Sequence, residues 1–171
     1  MSLSVPDINL SIIAPALIVA ITAIVVLLGE LVTPATGKRW LGYLSIVGLV
    51  VAALAAMHLW GVNASTSSGQ ASSAFSGMIV ADNFGLFLTL AILLGAAMTI
   101  LLSIPFIHAH KIDQGEYYVL LLASVAGMIL MATATDLIVI FLGLELLSLP
   151  LYILAAFQRE DSRSLEAGIK Y

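Results

Sequence analysis

The stretch Leu142–Tyr152, LGLELLSLPLY, holds one ionisable side chain, Glu145, in a run that is otherwise almost wholly apolar. Ser148 and Tyr152 follow it at i+3 and i+7, which a helix sets on one stripe. Pro150 has no N–H to offer the carbonyl of Leu146, so it should kink the helix and free that carbonyl. Carboxyl, hydroxyl, phenol and freed carbonyl together are the groups that would line a hydrated path. An apolar surround favours a neutral carboxyl and a nearby cation favours a charged one. A carboxyl held between those influences can exchange a proton near neutral pH, as a proton relay requires. The plainer alternative is a protonated packing group, hydrogen-bonded to a neighbouring helix.

Other chemistry-bearing residues are sparse. His108 and His110 form a His-x-His in a short loop expected over Pro105–Gln114, and two histidines without a third ligand make a poor metal site. His58, close to Trp60, reads as interfacial rather than as a ligand. No cysteine is present, which excludes disulfides, thiolate-held clusters and a thiol nucleophile from these residues. No glycine-rich phosphate loop or dinucleotide fingerprint occurs, so no cofactor is expected in this chain. The six Lys and Arg are too few and too scattered for a nucleic-acid surface.

The elements that must position Glu145 follow from composition. Of 171 residues, 61% are hydrophobic and 9% charged, against about 25% charged in an ordinary soluble domain. With a mean hydropathy of +1.14 and several long apolar runs, the chain belongs in a lipid bilayer. Five runs approach the roughly 20 residues that a spanning helix needs: about Ala14 to Val32, Trp40 to Trp60, Asn83 to Ile104, Tyr117 to Ala134 and Leu137 to Phe157. The expected fold is an all-α, polytopic membrane bundle of five transmembrane helices. Trp40 and Trp60 mark the ends of the second span as an aromatic belt would. Asp82 is placed to cap the third, and Gly95-Ala96-Ala97 suggest close helix packing along it. Gly61–Gly77, rich in Ser, Gly and Ala, reads as a flexible external loop, and Asn63-Ala64-Ser65 within it matches a glycosylation sequon.

Cations set the orientation. Lys38 and Arg39, then Lys111, then Arg159, Arg163 and Lys170 fall in alternate loops. By the positive-inside rule the N-terminus lies outside and the Tyr171 end is cytoplasmic. Glu145 lies nine residues beyond Asp136, about 13 Å along a helix in a hydrocarbon core of about 30 Å. A charge at that depth costs at least about 2.5–3.5 kcal/mol, so Glu145 should face a bundle interior.

At Gly143–Leu154, GLELLSLPLYIL, and Arg163–Tyr171, RSLEAGIKY, the chain resembles the subunit N family of bacterial proton-pumping NADH–quinone oxidoreductase, complex I. Ile79–Phe84, IVADNF, leading into a span, is compatible with it; Ala16 departs from an acidic residue that many relatives carry. The resemblance implies an antiporter-like subunit of the membrane arm in a bacterial inner (plasma) membrane, with other membrane-arm subunits and the lipid bilayer as partners. It implies that NADH, flavin, iron–sulfur clusters and quinone act elsewhere in the complex. It matches Glu145 to the family's proton-relay glutamate, with Ser148, Pro150 and Tyr152 in support. The glutamate's family partner is a lysine in a broken helix two spans later, beyond Tyr171; Lys170, at the entrance to a further span begun near Leu165, is not it. Residues 1–171 thus correspond to the N-terminal part of such a subunit and should not pump alone. Two rival readings are a subunit of a multisubunit sodium/proton antiporter and a truncated, non-transporting assembly module.

Overall fold

A computed structural model describes residues 9–33, 38–65, 72–109, 115–158 and 161–171. The elements are α1 (Ala14–Val32), α2 (Arg39–Ser65), β1 (Ser72–Ala74), β2 (Ile79–Ala81), α3 (Asn83–Ala109), α4 (Glu116–Thr133), α5 (Leu137–Ala155) and α6 (Ser162–Lys170). The five longest helices are each long and apolar enough to cross a membrane, and the fold is a multi-pass membrane bundle.

Helices α1 to α4 form a closed ring: α1 packs on α2, α2 on α3, α3 on α4, and α4 back on α1. Val19, Val26, Leu41, Leu49, Ile100, Leu122 and Val125 fill its centre and are all but inaccessible. Polar residues inside the ring disturb little. Ser45 and Thr89 donate their hydroxyls to the carbonyls of Leu41 and Gly85 one turn back, so neither donor is stranded in the core. Helix α5 lies outside the ring, packed on α4 and, at its far end, on α6.

Asp82 caps α3 as its position suggested. Its Oδ1 accepts the Gly85 N–H at 2.7 Å, satisfying one of the donors that the first turn leaves free. Asp82→Ala should cost about 1 kcal/mol of stability, read as a lowered unfolding midpoint in detergent.

Two expectations are corrected. Much of Gly61–Gly77 is regular structure: α2 runs on to Ser65, and β1 pairs antiparallel with β2, Ser73 opposite Val80. Residues 66–71 lie outside the described set. Ala74, Ile79 and Ala81 are buried against Ile12, Ala56 and Leu86, an apolar face that the small-residue composition conceals. Asn63 is part of this clamp, its amide donating to the Ala81 carbonyl at 2.7 Å. The turn holds Phe75, Ser76 and Gly77 at φ of 52°, 56° and 88°, where glycine alone is at ease. The second correction concerns α3, which continues through Pro105 to Ala109, so residues 105–109 are helix rather than loop. Ile104 packs beside Gly42 of α2, and Ile107 is buried; tertiary contacts outweigh the hydrogen bond that proline removes. His110 and Lys111 lie outside the described residues.

Candidate functional site

Helix α5 begins at Asp136, whose carboxylate accepts the Ile138 N–H at 2.8 Å. Glu145 is its ninth residue of 19, about 12 Å from one end and 15 Å from the other at 1.5 Å per residue.

The side of α5 that meets α4 is fixed by two glycines. A Cβ on Gly127 would stand 2.6 Å from the backbone nitrogen of Leu147 and 2.7 Å from the carbonyl oxygen of Gly143. The helices touch backbone to backbone there, as small residues permit in membranes. At about 100° per residue Glu145 lies roughly 160° around the helix from Gly143, on the opposite face. Within these residues Glu145 thus does not face the bundle interior, contrary to the expectation. It is half-buried on the outer face of α5, a helix on which only Gly143 and Pro150 are buried among the described residues. Among the described residues no hydrogen bond or ion pair reaches its carboxylate.

The neighbours divide. Ser148 and Tyr152 share the outer stripe with Glu145, but the Ser148 hydroxyl makes a long 3.4 Å bond to the backbone carbonyl of Glu145 rather than to its carboxyl. Tyr152 is 40% exposed, and its ring meets Tyr171 edge-on with centroids 5.4 Å apart. Helix α5 passes unbroken through Pro150, which is buried. The Leu146 carbonyl carbon comes 2.9 Å from the position of a Gly127 Cβ, so that backbone is packed onto α4. The expected wall reduces to carboxyl, hydroxyl and phenol.

Two features escaped sequence reasoning. Tyr171 joins the stripe because α6 turns back onto the end of α5: Asp161 caps α6 through the Arg163 N–H at 3.0 Å, and Ser164 donates to the terminal Ala155 carbonyl at 2.9 Å. The other is Glu30, which pairs with Lys38 and accepts the Gly115 N–H at 3.0 Å. Lys170 pairs with Glu166 on the surface of α6. Gly95, expected at a close helix contact, faces open space instead, with nothing within 4 Å of where its Cβ would be. His58 is exposed on α2, and among the described residues no group of three or more His, Asp or Glu could hold a metal.

Residues 134–171 match the family described as NADH:quinone oxidoreductase/Mrp antiporter, TM. NADH-quinone oxidoreductase subunit N of Trichlorobacter lovleyi is 40% identical over 96% of this chain and 32% of its own length. Subunit N of Chloroflexus aggregans is 44% identical over 99% of this chain and 33% of its own. A chain of respiratory complex I from Thermus thermophilus, solved with bound aureothin, superposes with a TM-score of 0.68 at 30% identity, over 92% of this chain and 32% of that one. The chain therefore resembles subunit N over nearly all its residues and spans about a third of the length of these relatives.

Proposed function

We propose that these residues are the N-terminal, five-span part of a proton-translocating membrane-arm subunit of NADH–quinone oxidoreductase, and that Glu145 takes up and passes the proton. The observation that carries this reading is a carboxyl half-way along α5, in line with Ser148 and Tyr152, half-buried on the side of the helix turned away from α4. A chain three times as long, the length of the relatives, would have further segments to cover that side, and the family resemblance implies a lysine among them to meet the carboxylate. A further span opening near Leu165 would be the first of them. The Ser148 hydroxyl and Tyr152 phenol extend the path toward the α6 end, where water can supply the proton.

Electron transfer from NADH through flavin and iron–sulfur clusters to quinone belongs to other subunits of this assembly, which are the partners of this one. The placement of Lys and Arg in alternate loops supports an N-terminus outside a bacterial plasma membrane and a Tyr171 end in the cytoplasm. The subunit N names of the relatives favour this reading over a sodium/proton antiporter.

The test uses the full-length subunit in its assembled complex. Glu145→Gln should lower NADH-driven proton uptake into vesicles several-fold while the subunits still assemble, and Glu145→Asp should keep part of it. Full proton uptake by the glutamine variant removes Glu145 from the relay.

A further inference from the structure

Two stripes of residues meet where α6 turns back onto α5. Glu145, Ser148 and Tyr152 lie at i, i+3 and i+7 on α5; Ser164, Gly168 and Tyr171 lie at i, i+4 and i+7 on α6 and its C-cap. The second stripe is the side of α6 that touches α5. Ser164 donates to the Ala155 carbonyl at 2.9 Å. A Cβ on Gly168 would overlap the Ala156 side chain and stand 3.2 Å from its Cα, so the two backbones approach closely there. One turn on, Tyr171 closes α6, its N–H donating to the Ala167 carbonyl at 2.9 Å. Its ring then meets that of Tyr152 edge-on, with planes at 63°. We infer that Tyr171 is a positioning residue, whose ring holds the Tyr152 phenol in line with Ser148 and Glu145. The inference rests on the relay role proposed above for Glu145.

Helix geometry shows why Tyr152 needs such a neighbour. A helical tyrosine chooses between two χ1 wells, both of which lean it over the preceding turn. For Tyr152 that turn carries Ser148 at i−4 and Leu149 at i−3, one polar and one apolar. Packing on α4 does not make the choice, because Tyr152 lies nine residues beyond Gly143, about 180° around α5 from the glycine contact. Among the described residues, Tyr171 is the ring that Tyr152 meets. An edge-on ring contact is favourable and directional, so it can hold one well over the other. The ring of Tyr171 does this; its hydroxyl is not required.

The test again uses the full-length subunit in its assembled complex, read by NADH-driven proton uptake into vesicles. Tyr171→Ala should lower uptake about threefold, the order by which one ring pair biases a rotamer equilibrium. Tyr171→Phe keeps the ring and should restore wild-type uptake. Tyr152→Phe should lower uptake by a similar factor, and adding Tyr171→Ala should lower it no further, because the phenol to be positioned is already gone. If the alanine variant does not assemble, Tyr171→Leu, which fills space without a ring, takes its place. Wild-type uptake by Tyr171→Ala while Glu145→Gln is deficient overturns the inference and leaves the relay standing. A phenylalanine variant as deficient as the alanine one would mean that the Tyr171 hydroxyl itself is needed, which overturns the positioning role. A loss from Tyr171→Ala that persists in the Tyr152→Phe background would mean that Tyr171 only supports the packing of α6, and overturns it equally. Full uptake by Glu145→Gln overturns both readings.

Discussion

Gly127→Leu should leave little folded protein in the membrane. Helix propensity pulls the other way, since leucine is better than glycine in a helix interior by roughly 0.5–1 kcal/mol. Packing overrides it. The new Cβ would stand 2.6 Å from the Leu147 nitrogen, 2.7 Å from the Gly143 oxygen and 2.9 Å from the Leu146 carbonyl carbon. All three are backbone atoms, so no rotamer change relieves the clash and the two helices must part. Overpacking of a core costs about 1–3 kcal/mol and occasionally more, and a contact with unyielding backbone belongs at the upper end. Among the described residues helix α5 packs chiefly on α4 and the short α6, so once pushed off α4 it has no second site in the ring. Gly127→Ala carries the same Cβ and should lose a substantial part of the stability. Gly61→Leu, where nothing lies within 4 Å, should behave as wild type. Membrane yield and unfolding midpoint in detergent are the measurements. An unchanged midpoint for Gly127→Leu would show that the helices do not meet at these glycines.

The same contact marks where the sequence is readable and where it is not. Membrane thickness dictates span length, so five apolar runs reveal five helices, although α2 and α3 run on to Ser65 and Ala109, past the ends expected at Trp60 and Ile104; counting from Asp136 gives the place of Glu145 along α5. Which way Glu145 faces is another matter. In LIVIFLGLELLSLPLYILA nearly every position is apolar, so no polar face exists to indicate the buried side. The side is chosen by Gly143 against Gly127, a pairing between helices that neither helix announces alone. Gly95 shows the converse, a small residue whose neighbours suggest packing but which faces open space. The hairpin after α2 was hidden because Ala74 and Ala81 are buried by position rather than by hydrophobicity. Pro105 would end a helix in isolation and does not do so where Ile104 and Ile107 are held by the ring.

Glu30→Ala should be the most damaging change at the α1 end, although the sequence shows only an acid near a span boundary. Helix α4 starts at Gly115 without a side-chain cap of its own. The cap comes from α1: one Glu30 oxygen accepts the Gly115 N–H at 3.0 Å, while the other pairs with Lys38. The carboxylate lies at the positive end of the α4 dipole, where negative charge is stabilising. Glu30 and Lys38 are 14% and 17% exposed, too little for water to replace what is lost. A hydrogen bond to a charged group contributes about 1.5–3 kcal/mol, and with Lys38 left unpaired the total for Glu30→Ala is about 2–4 kcal/mol. Lys38→Ala leaves the cap in place and should cost about 1 kcal/mol. The exchanged pair Glu30→Lys with Lys38→Glu separates the two contributions. It restores opposite charges, yet it puts an ammonium where α4 presents N–H groups and positive charge. Its unfolding midpoint should therefore stay near that of Glu30→Ala. Recovery to the wild-type midpoint would mean that attraction between the two side chains is the whole effect and that α4 does not depend on α1 for its cap.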